Sequence, residues 1–185
     1  DYRQAIEFFS KAVEANPDCR VCRYNVGRSL IALEKFDEAI EVFDKLIKID
    51  PSNADVQASM GDALNRKDLF KESIPFYQSA LKLDSKSAAT FSNYAIPLNM
   101  TGQHNEALKI LDQAVKLQPS MAEAHSNRGY TLFLMGRSKE ALKSMETGKT
   151  LNADIAQIHN NIGVVLDKMG RTKKAVESYL TAIKL

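Results

Sequence analysis

The sequence contains no tryptophan, only two cysteines, and no long uninterrupted run of apolar residues. Two cysteines are too few for a disulfide framework, and such sparse use favours a cytoplasmic location. No apolar stretch approaches the roughly 18 to 20 residues of a membrane span, and the first residues, DYRQAIEFF, lack the pattern of a signal peptide. We therefore expect no membrane insertion.

An excess of charge of one sign is also lacking. Lys and Arg total 25 and Asp and Glu total 23, so the net charge at pH 7 is +2. Nucleic-acid binding normally requires a basic surface, which this balance does not provide. The content of 44% hydrophobic and 26% charged residues is typical of a globular protein. We expect no nucleic-acid partner.

The sequence does contain a repeat of 34 residues. One register of small residues, which we call the glycine register, consists of Gly27, Gly61, Ala95, Gly129 and Gly163. A second small register consists of Ala5, Ala39, Ser73, Ala107, Ala141 and Ala175. Four residues after it comes a register of large residues, Phe9, Phe43, Tyr77, Leu111, Met145 and Tyr179. A fixed period of this length predicts a solenoid of stacked units.

The apolar spacing within each period predicts two helices joined by a short polar turn. First helices are expected at 20–33, 54–66, 88–100, 122–134 and 156–168. Second helices are expected at 37–49, 71–83, 105–117, 139–151 and 173–185, with another at 1–15. The first helices should end at glycines, which are Gly102, Gly136 and Gly170. The second helices should begin with side-chain caps, for which Asp37, Asn105, Ser138 and Thr172 are suitable.

These registers resemble the tetratricopeptide repeat (TPR) family, whose units have 34 residues and the same small and large places. The resemblance covers all 185 residues and implies an all-α fold, a right-handed α-solenoid of helix-turn-helix repeats. We expect a single solenoid domain over 1–185, as a fragment of a longer protein. Residues 1–19 would be the second helix of a preceding repeat, followed by repeats at 20–53, 54–87, 88–121, 122–155 and 156–185.

Some positions carry expectations about packing. A bulky side chain at Gly61 or Ala107 should destabilise the protein, because small residues let paired helices approach closely. Pro75 and Pro97 lie inside predicted helices, and Gly148 replaces a small alanine. Each should bend or soften the middle repeats by an amount on the order of 1 to 3 kcal/mol.

In TPR proteins the first helices line a concave groove, and one register on them is rich in asparagine here. This asparagine register consists of Asn25, Ser59, Asn93, Asn127 and Asn161. An amide offers a donor and an acceptor that match the backbone of an extended peptide. The pattern resembles the asparagine ladder in the TPR domains of O-linked N-acetylglucosamine transferases. The alternative is that asparagine is simply common at this place in TPR repeats.

Other residues expected on the same groove surface would supply specificity for the partner. They are Tyr24, Arg28, Asp62, Asn65, Arg66, Tyr130, Phe133, Asp167 and Lys168.

No catalytic or metal-binding arrangement is apparent. Cys19 and Cys22 form one C-x-x-C pair without further zinc ligands, so we interpret the pair as structural and expect Cys22 to be a buried packing residue. His125 and His159 lie one repeat apart with no carboxylate in register. Asn99 begins an N-x-T pattern at a helix end, which we interpret as coincidental. We expect no metal, no cofactor and no enzymatic activity in this segment.

The sequence thus predicts a protein-interaction scaffold that binds an extended peptide segment of a partner in the concave groove. The partner would be another protein or peptide. Two alternatives remain open: the substrate-recognition arm of a larger enzyme such as a glycosyltransferase, and a self-assembling scaffold.

Overall fold

A computed structural model describes residues 2–185 and, over that range, contains eleven α-helices and no strand. The first helices are α2 (Arg20–Ala32), α4 (Ala54–Arg66), α6 (Ala88–Met100), α8 (Ala122–Leu134) and α10 (Ala156–Lys168). The second helices are α1 (Tyr2–Ala15), α3 (Phe36–Ile49), α5 (Phe70–Leu83), α7 (His104–Leu117), α9 (Ser138–Leu151) and α11 (Thr172–Lys184). The all-α prediction of helical hairpins is confirmed, with boundaries within one residue. The predicted helix start at residue 1 lies outside the described residues.

The chain divides into two compact units, one ending at Ser85 and the other beginning at Lys86. The main core residues of unit 1 are Leu30, Phe43, Leu46, Val56, Met60 and Leu64. Those of unit 2 include Leu132, Met145, Ile158, Ile162, Val165 and Leu166. The single domain over 1–185 stays a prediction. None of the described helices is long and apolar enough to cross a membrane.

The glycine register packs against the large register, as the spacing predicts. A Cβ atom added at Gly27 would lie 2.6 Å from the ring of Phe43, and one at Gly163 would lie 2.5 Å from the ring of Tyr179. Gly148 has a packing role that the sequence did not reveal. Its added Cβ would lie 2.7 Å from the carbonyl oxygen of Ala122, so this glycine lets α9 lie close to α8.

The first helices end in residues of positive φ. In unit 2 these are the predicted glycines Gly102, Gly136 and Gly170, with φ of 80°, 78° and 73°. In unit 1 the same place is held by Glu34 and Asp68, with φ of 60° and 61°. Helices α5 and α6 continue through Pro75 and Pro97. Bending at these prolines stays a prediction.

The predicted caps of the second helices are wrong. The four proposed residues, Asp37, Asn105, Ser138 and Thr172, lie inside the first turn instead. The cap position directly follows the residue of positive φ, and the residues there make no side-chain cap hydrogen bond, as with Lys35 and Gln103. Side-chain caps occur on first helices instead: Asn53 and Ser87 accept from the backbone N–H three residues later.

Candidate functional site

The asparagine register joins successive first helices within each unit. In unit 2, Nδ2 of Asn127 donates to Oγ of Ser92 at 3.0 Å. In unit 1, Oγ of Ser59 donates to Oη of Tyr24 at 3.2 Å. Both bonds connect residues 35 apart, so each one ties a first helix to the first helix of the preceding repeat. The register therefore has a structural role in addition to any role in binding.

The members of this register differ in what they offer a partner. Asn161 is only 7% exposed. Its Nδ2 donates to Oγ of Ser126 at 3.2 Å, and its Oδ1 accepts from Nε2 of Gln157 at 2.8 Å. Asn127 is half-buried and uses only Nδ2, since no hydrogen bond within residues 2–185 reaches its Oδ1. Asn25 is half-buried, and its amide has no partner within that range. Asn93 is also half-buried.

A polar surface covers the first helices of unit 1. Nη1 of Arg28 donates to Oη of Tyr24 at 3.3 Å. This bond raises the pKa of Arg28 above its ordinary value, and the negative charge of Asp62 acts in the same direction. Asp62 in turn accepts a 2.7 Å hydrogen bond from Oη of the buried Tyr77. Burial, and then the charge of Asp62, raise the pKa of Tyr77. The predicted residues Tyr24, Arg28 and Asp62 are thus held in place by internal contacts.

The C-terminal ends of α4 and α10 hold the remaining charged residues of the predicted set. The guanidinium of Arg66 lies 5.7 Å from the ring centroid of Phe36. Asn65 has a buried Oδ1 without a hydrogen-bond partner in the described part of the chain. Asp167 and Lys168 are exposed, and their side chains make no hydrogen bond or ion pair among the residues described.

A cavity of about 320 Å³ opens beside Asn25 in unit 1. Its apolar lining is formed by Val21, Leu46 and Val56, and its polar lining by Arg20, Tyr24, Asn25, Asp50, Asn53 and Asp55. Arg20 and Asp50 form an ion pair at 3.3 Å. Hydrogen bonds from Ser52 hold the pKa of Asp50 below its ordinary value. The carboxylate of Asp55 makes no hydrogen bond or ion pair among residues 2–185, so the cavity is suited to a polar or cationic side chain.

The first helices of unit 2 carry an apolar surface. We define the apolar patch as Ile96, Met100, Tyr130, Phe133 and Leu134. Ile96, Met100 and Leu134 are 39%, 55% and 36% exposed, and the rings of Tyr130 and Phe133 lie 6.5 Å apart. A small cavity of about 40 Å³ is lined by Ile96, Asn99, Met100, Asn127 and Tyr130.

Sequence reasoning found Tyr130 and Phe133 but missed Ile96, Met100 and Leu134. The signal was present, because 96 and 100 are spaced as 130 and 134, one repeat later. Asn99, the N-x-T asparagine, is 8% exposed, and its Nδ2 donates to Oγ1 of Thr131 at 2.8 Å. Its amide is therefore part of the packing between α6 and α8.

The prediction that Cys22 is a buried packing residue is wrong. Cys19 and Cys22 are joined by a disulfide bond, and both are half-buried. Sγ of Cys19 also accepts from the backbone N–H of Cys22 at 3.2 Å, so the pair closes the first turn of α2. Disulfide bonds are favoured in oxidising compartments, and the cytoplasmic location stays a prediction.

Three polar residues near the start of first helices share one structural role. The side chains of Gln57, His125 and His159 each contact the backbone carbonyl oxygen six residues earlier, at 3.0, 2.9 and 2.8 Å. These bonds tie the first helix to the loop before it. Within residues 2–185, no group of three or more His, Cys, Asp or Glu residues is arranged to hold a metal ion.

Helical hairpins of constant period, with small residues packed under large ones, define a helical-repeat protein. Family models described as tetratricopeptide repeat match residues 1–63, 122–155 and 156–185, and one described as TPR repeat matches 100–136. The chain belongs to the tetratricopeptide repeat family.

Solved structures of TPR proteins share the fold. YrrB, described as a TPR protein with an unusual peptide-binding site, is 26% identical at a TM-score of 0.66, covering 95% of this chain and 91% of that one. TTC0263 of Thermus thermophilus, a thermophilic TPR protein, is 19% identical at a TM-score of 0.82, and the match covers 90% of this chain and 91% of that one. A chain of the APC/C hetero-tetramer Cut9-Hcn1 is 16% identical at a TM-score of 0.90, and the match covers 99% of this chain and 36% of that one. No curated protein matches the chain significantly.

Proposed function

We propose that this chain is a protein-interaction module that binds an extended segment of another protein on the surface of its first helices. Asn127 carries the proposal. Asn127 is half-buried, its Nδ2 is held by Ser92, and its Oδ1 has no hydrogen-bond partner among residues 2–185. An amide held through its nitrogen keeps its oxygen available as an acceptor, and an extended peptide has N–H groups that require one.

The family supports the same general role. TPR proteins bind other proteins or peptides, and YrrB is described as having a peptide-binding site. In unit 1, Asn25 offers a donor and an acceptor beside a cavity that has room for a side chain. In the proposed function Asn161 acts indirectly, because its amide holds α10 to α8.

Matched substitutions can separate contact with a partner from internal packing. Asn127→Ala removes both the available Oδ1 and the internal bonds of Nδ2, whereas Ser92→Ala removes only the 3.0 Å bond to Oγ and keeps the 3.4 Å contact of Nδ2 with the backbone carbonyl oxygen of residue 92. We would select binders from a displayed library of proteome-derived peptides, using the parent protein and both variants, with helicity measured by circular dichroism.

We expect the parent and Ser92→Ala to enrich the same peptides and Asn127→Ala to bind them about tenfold more weakly, as for one lost hydrogen bond. Equal losses in the two variants would assign Asn127 to packing alone. Failure of the folded parent to enrich any peptide would contradict the proposed function.

A further inference from the structure

We infer that unit 2 recognises its partner through an uncharged aliphatic side chain, taken up at the apolar patch between α6 and α8. The inference rests on the proposed function and adds the chemistry of the partner. The two helices are adjacent at this level, because Asn99 on α6 donates to Thr131 on α8 at 2.8 Å. Residues four apart share a helix face, so Ile96 and Met100 flank one side of the cavity.

The fold does not require apolar residues at these places. In unit 1 the place of Ile96 is held by Arg28 in one repeat and by Asp62 in the next. The place of Met100 is held by the small Ala32 in one repeat and by Arg66 in the next. Since three of these four equivalent positions carry charge, the packing of a repeat is compatible with polar residues there. Adjacent exposed apolar side chains at such positions indicate a contact surface.

The chemistry of the cavity selects an uncharged occupant. No charged side chain lines it, so a charged side chain entering it would lose hydration without gaining a partner. The volume of about 40 Å³ fits the end of one aliphatic side chain. Met100 is flexible and 55% exposed, which allows the patch to adjust to side chains of different branching.

Two polar groups beside the patch select an extended backbone. Oδ1 of Asn127 and Oη of Tyr130 have no hydrogen-bond partner within residues 2–185. The first is an acceptor for an N–H group, and the second can donate to a carbonyl oxygen. The backbone groups of a helical partner are already bonded to one another, whereas an extended segment presents both groups. The occupant is therefore an extended segment with an uncharged aliphatic side chain.

The test uses a displayed library of random 12-residue peptides as the probe. The patch variant is Ile96→Lys with Met100→Lys, and both changes are at exposed positions. The matched control is Leu117→Lys with Leu151→Lys, which adds the same charge to unit 2 at residues that are each 42% exposed and lie on second helices. Circular dichroism checks that both variants keep the helicity of the parent.

We expect the parent and the control to enrich peptides with Val, Ile or Leu between uncharged neighbours. The patch variant should bind those peptides roughly 10- to 100-fold more weakly, as for the loss of one buried aliphatic side chain. Asn127→Ala should also weaken binding, because it removes the backbone acceptor.

Several outcomes would overturn the inference. If the patch variant keeps the aliphatic-rich peptides, or if the parent enriches charged peptides, the proposed function stands and the patch has no part in it. If the parent enriches no peptide, the proposed function fails together with this inference. Sedimentation of the same proteins adds one more check: self-association of the parent that the patch variant abolishes would assign the patch to a second copy of the chain.

Discussion

Asn127 and Asn161 occupy the same place in successive repeats, yet their amides meet different neighbours. The residue four positions before Asn161 is Gln157, whose Nε2 donates to Oδ1 of Asn161. The residue four positions before Asn127 is Glu123. An ionised glutamate has no proton to donate, so Oδ1 of Asn127 stays open. A single difference between amide and carboxylate thus separates a structural asparagine from a candidate binding asparagine.

This difference leads to a prediction for Glu123→Gln. The new amide can donate to Oδ1 of Asn127 in the way that Gln157 donates to Asn161, so it should compete with the peptide. We expect binding of a selected peptide, measured by fluorescence anisotropy, to weaken several-fold, as for one contested hydrogen bond. Glu123→Ala is the control, because it removes the charge without adding a donor. Equal weakening in both variants would show that the charge of Glu123 is what matters.

A second residue-scale prediction concerns Tyr77, which is fully buried and donates to Asp62. Burial and the nearby charge raise the pKa of Tyr77 in the folded protein above its unfolded value of about 10. The folded state therefore holds this proton more tightly, and its contribution to stability is full below pH 10. As the pH rises above 10, the free energy of unfolding should fall by about 1.4 kcal/mol per pH unit.

Urea unfolding between pH 9 and pH 11 measures this loss, and Tyr77→Phe is the control. Phenylalanine does not titrate, so the variant should be less stable at pH 9 but should lose less stability as the pH rises. Parallel pH profiles of the two proteins would contradict the assignment.

At the scale of the element, helix positions could be predicted because each repeat supplies an independent reading of the same boundaries. The caps could not, because Asp37 and Ser138 are good capping residues that lie inside the first turn. The residue of positive φ sets where a second helix begins, and it does so even where Glu34 or Asp68 replaces glycine. The disulfide of Cys19 was also beyond sequence reasoning, since spacing alone allows a free pair.

The candidate site was less predictable than the helices. Periodicity places Asn161 in the asparagine register of α10. It does not show that Nδ2 of Asn161 is bonded to Ser126 and that its Oδ1 is bonded to Gln157. Apolar residues are assigned to the core by default, which is why Ile96 and Met100 were missed. Exposure depends on neighbours from other repeats, and a single sequence does not report it.

The packing of paired helices gives an element-scale prediction at Gly27. A Cβ atom there would lie 2.6 Å from the ring of Phe43, so Gly27→Ala should cost about 1 to 3 kcal/mol of unfolding free energy. In unit 2 the equivalent pair is Ala95 and Leu111, and both are fully buried. The alanine should therefore be tolerated once Phe43 is also changed to leucine.

Denaturant unfolding of the two single variants and the double variant forms a thermodynamic cycle for this pair. We expect Gly27→Ala to cost clearly less in the Phe43→Leu background than in the parent. Equal costs in the two backgrounds would mean that the backbone conformation of Gly27, rather than the ring of Phe43, excludes a side chain.

On the scale of the whole molecule, the two units present different chemistry on equivalent first-helix positions. Unit 1 offers Arg28, Asp62 and a polar cavity, whereas unit 2 offers the apolar patch. Because the repeat backbone is the same in each, these surfaces can differ without a change of fold. A TPR chain can thus vary its partner by substitutions that leave the small and large registers intact.

Burial also varies along the chain, and this predicts how protection from hydrogen exchange is distributed. Helix α1 contributes no buried residue, and α11 contributes only Ala175. By contrast, α4 and α6 each bury seven or more residues, including Leu64 and Leu98. Helices with few buried contacts open at lower free energy, and in repeat proteins each repeat is stabilised mainly by its neighbouring repeats.

We expect the amides of α1 and α11 to exchange fastest among the helices and those of α4 and α6 to be strongly protected, as measured by hydrogen–deuterium exchange and mass spectrometry. Uniform protection across all helices would show instead that the chain opens only as one cooperative unit.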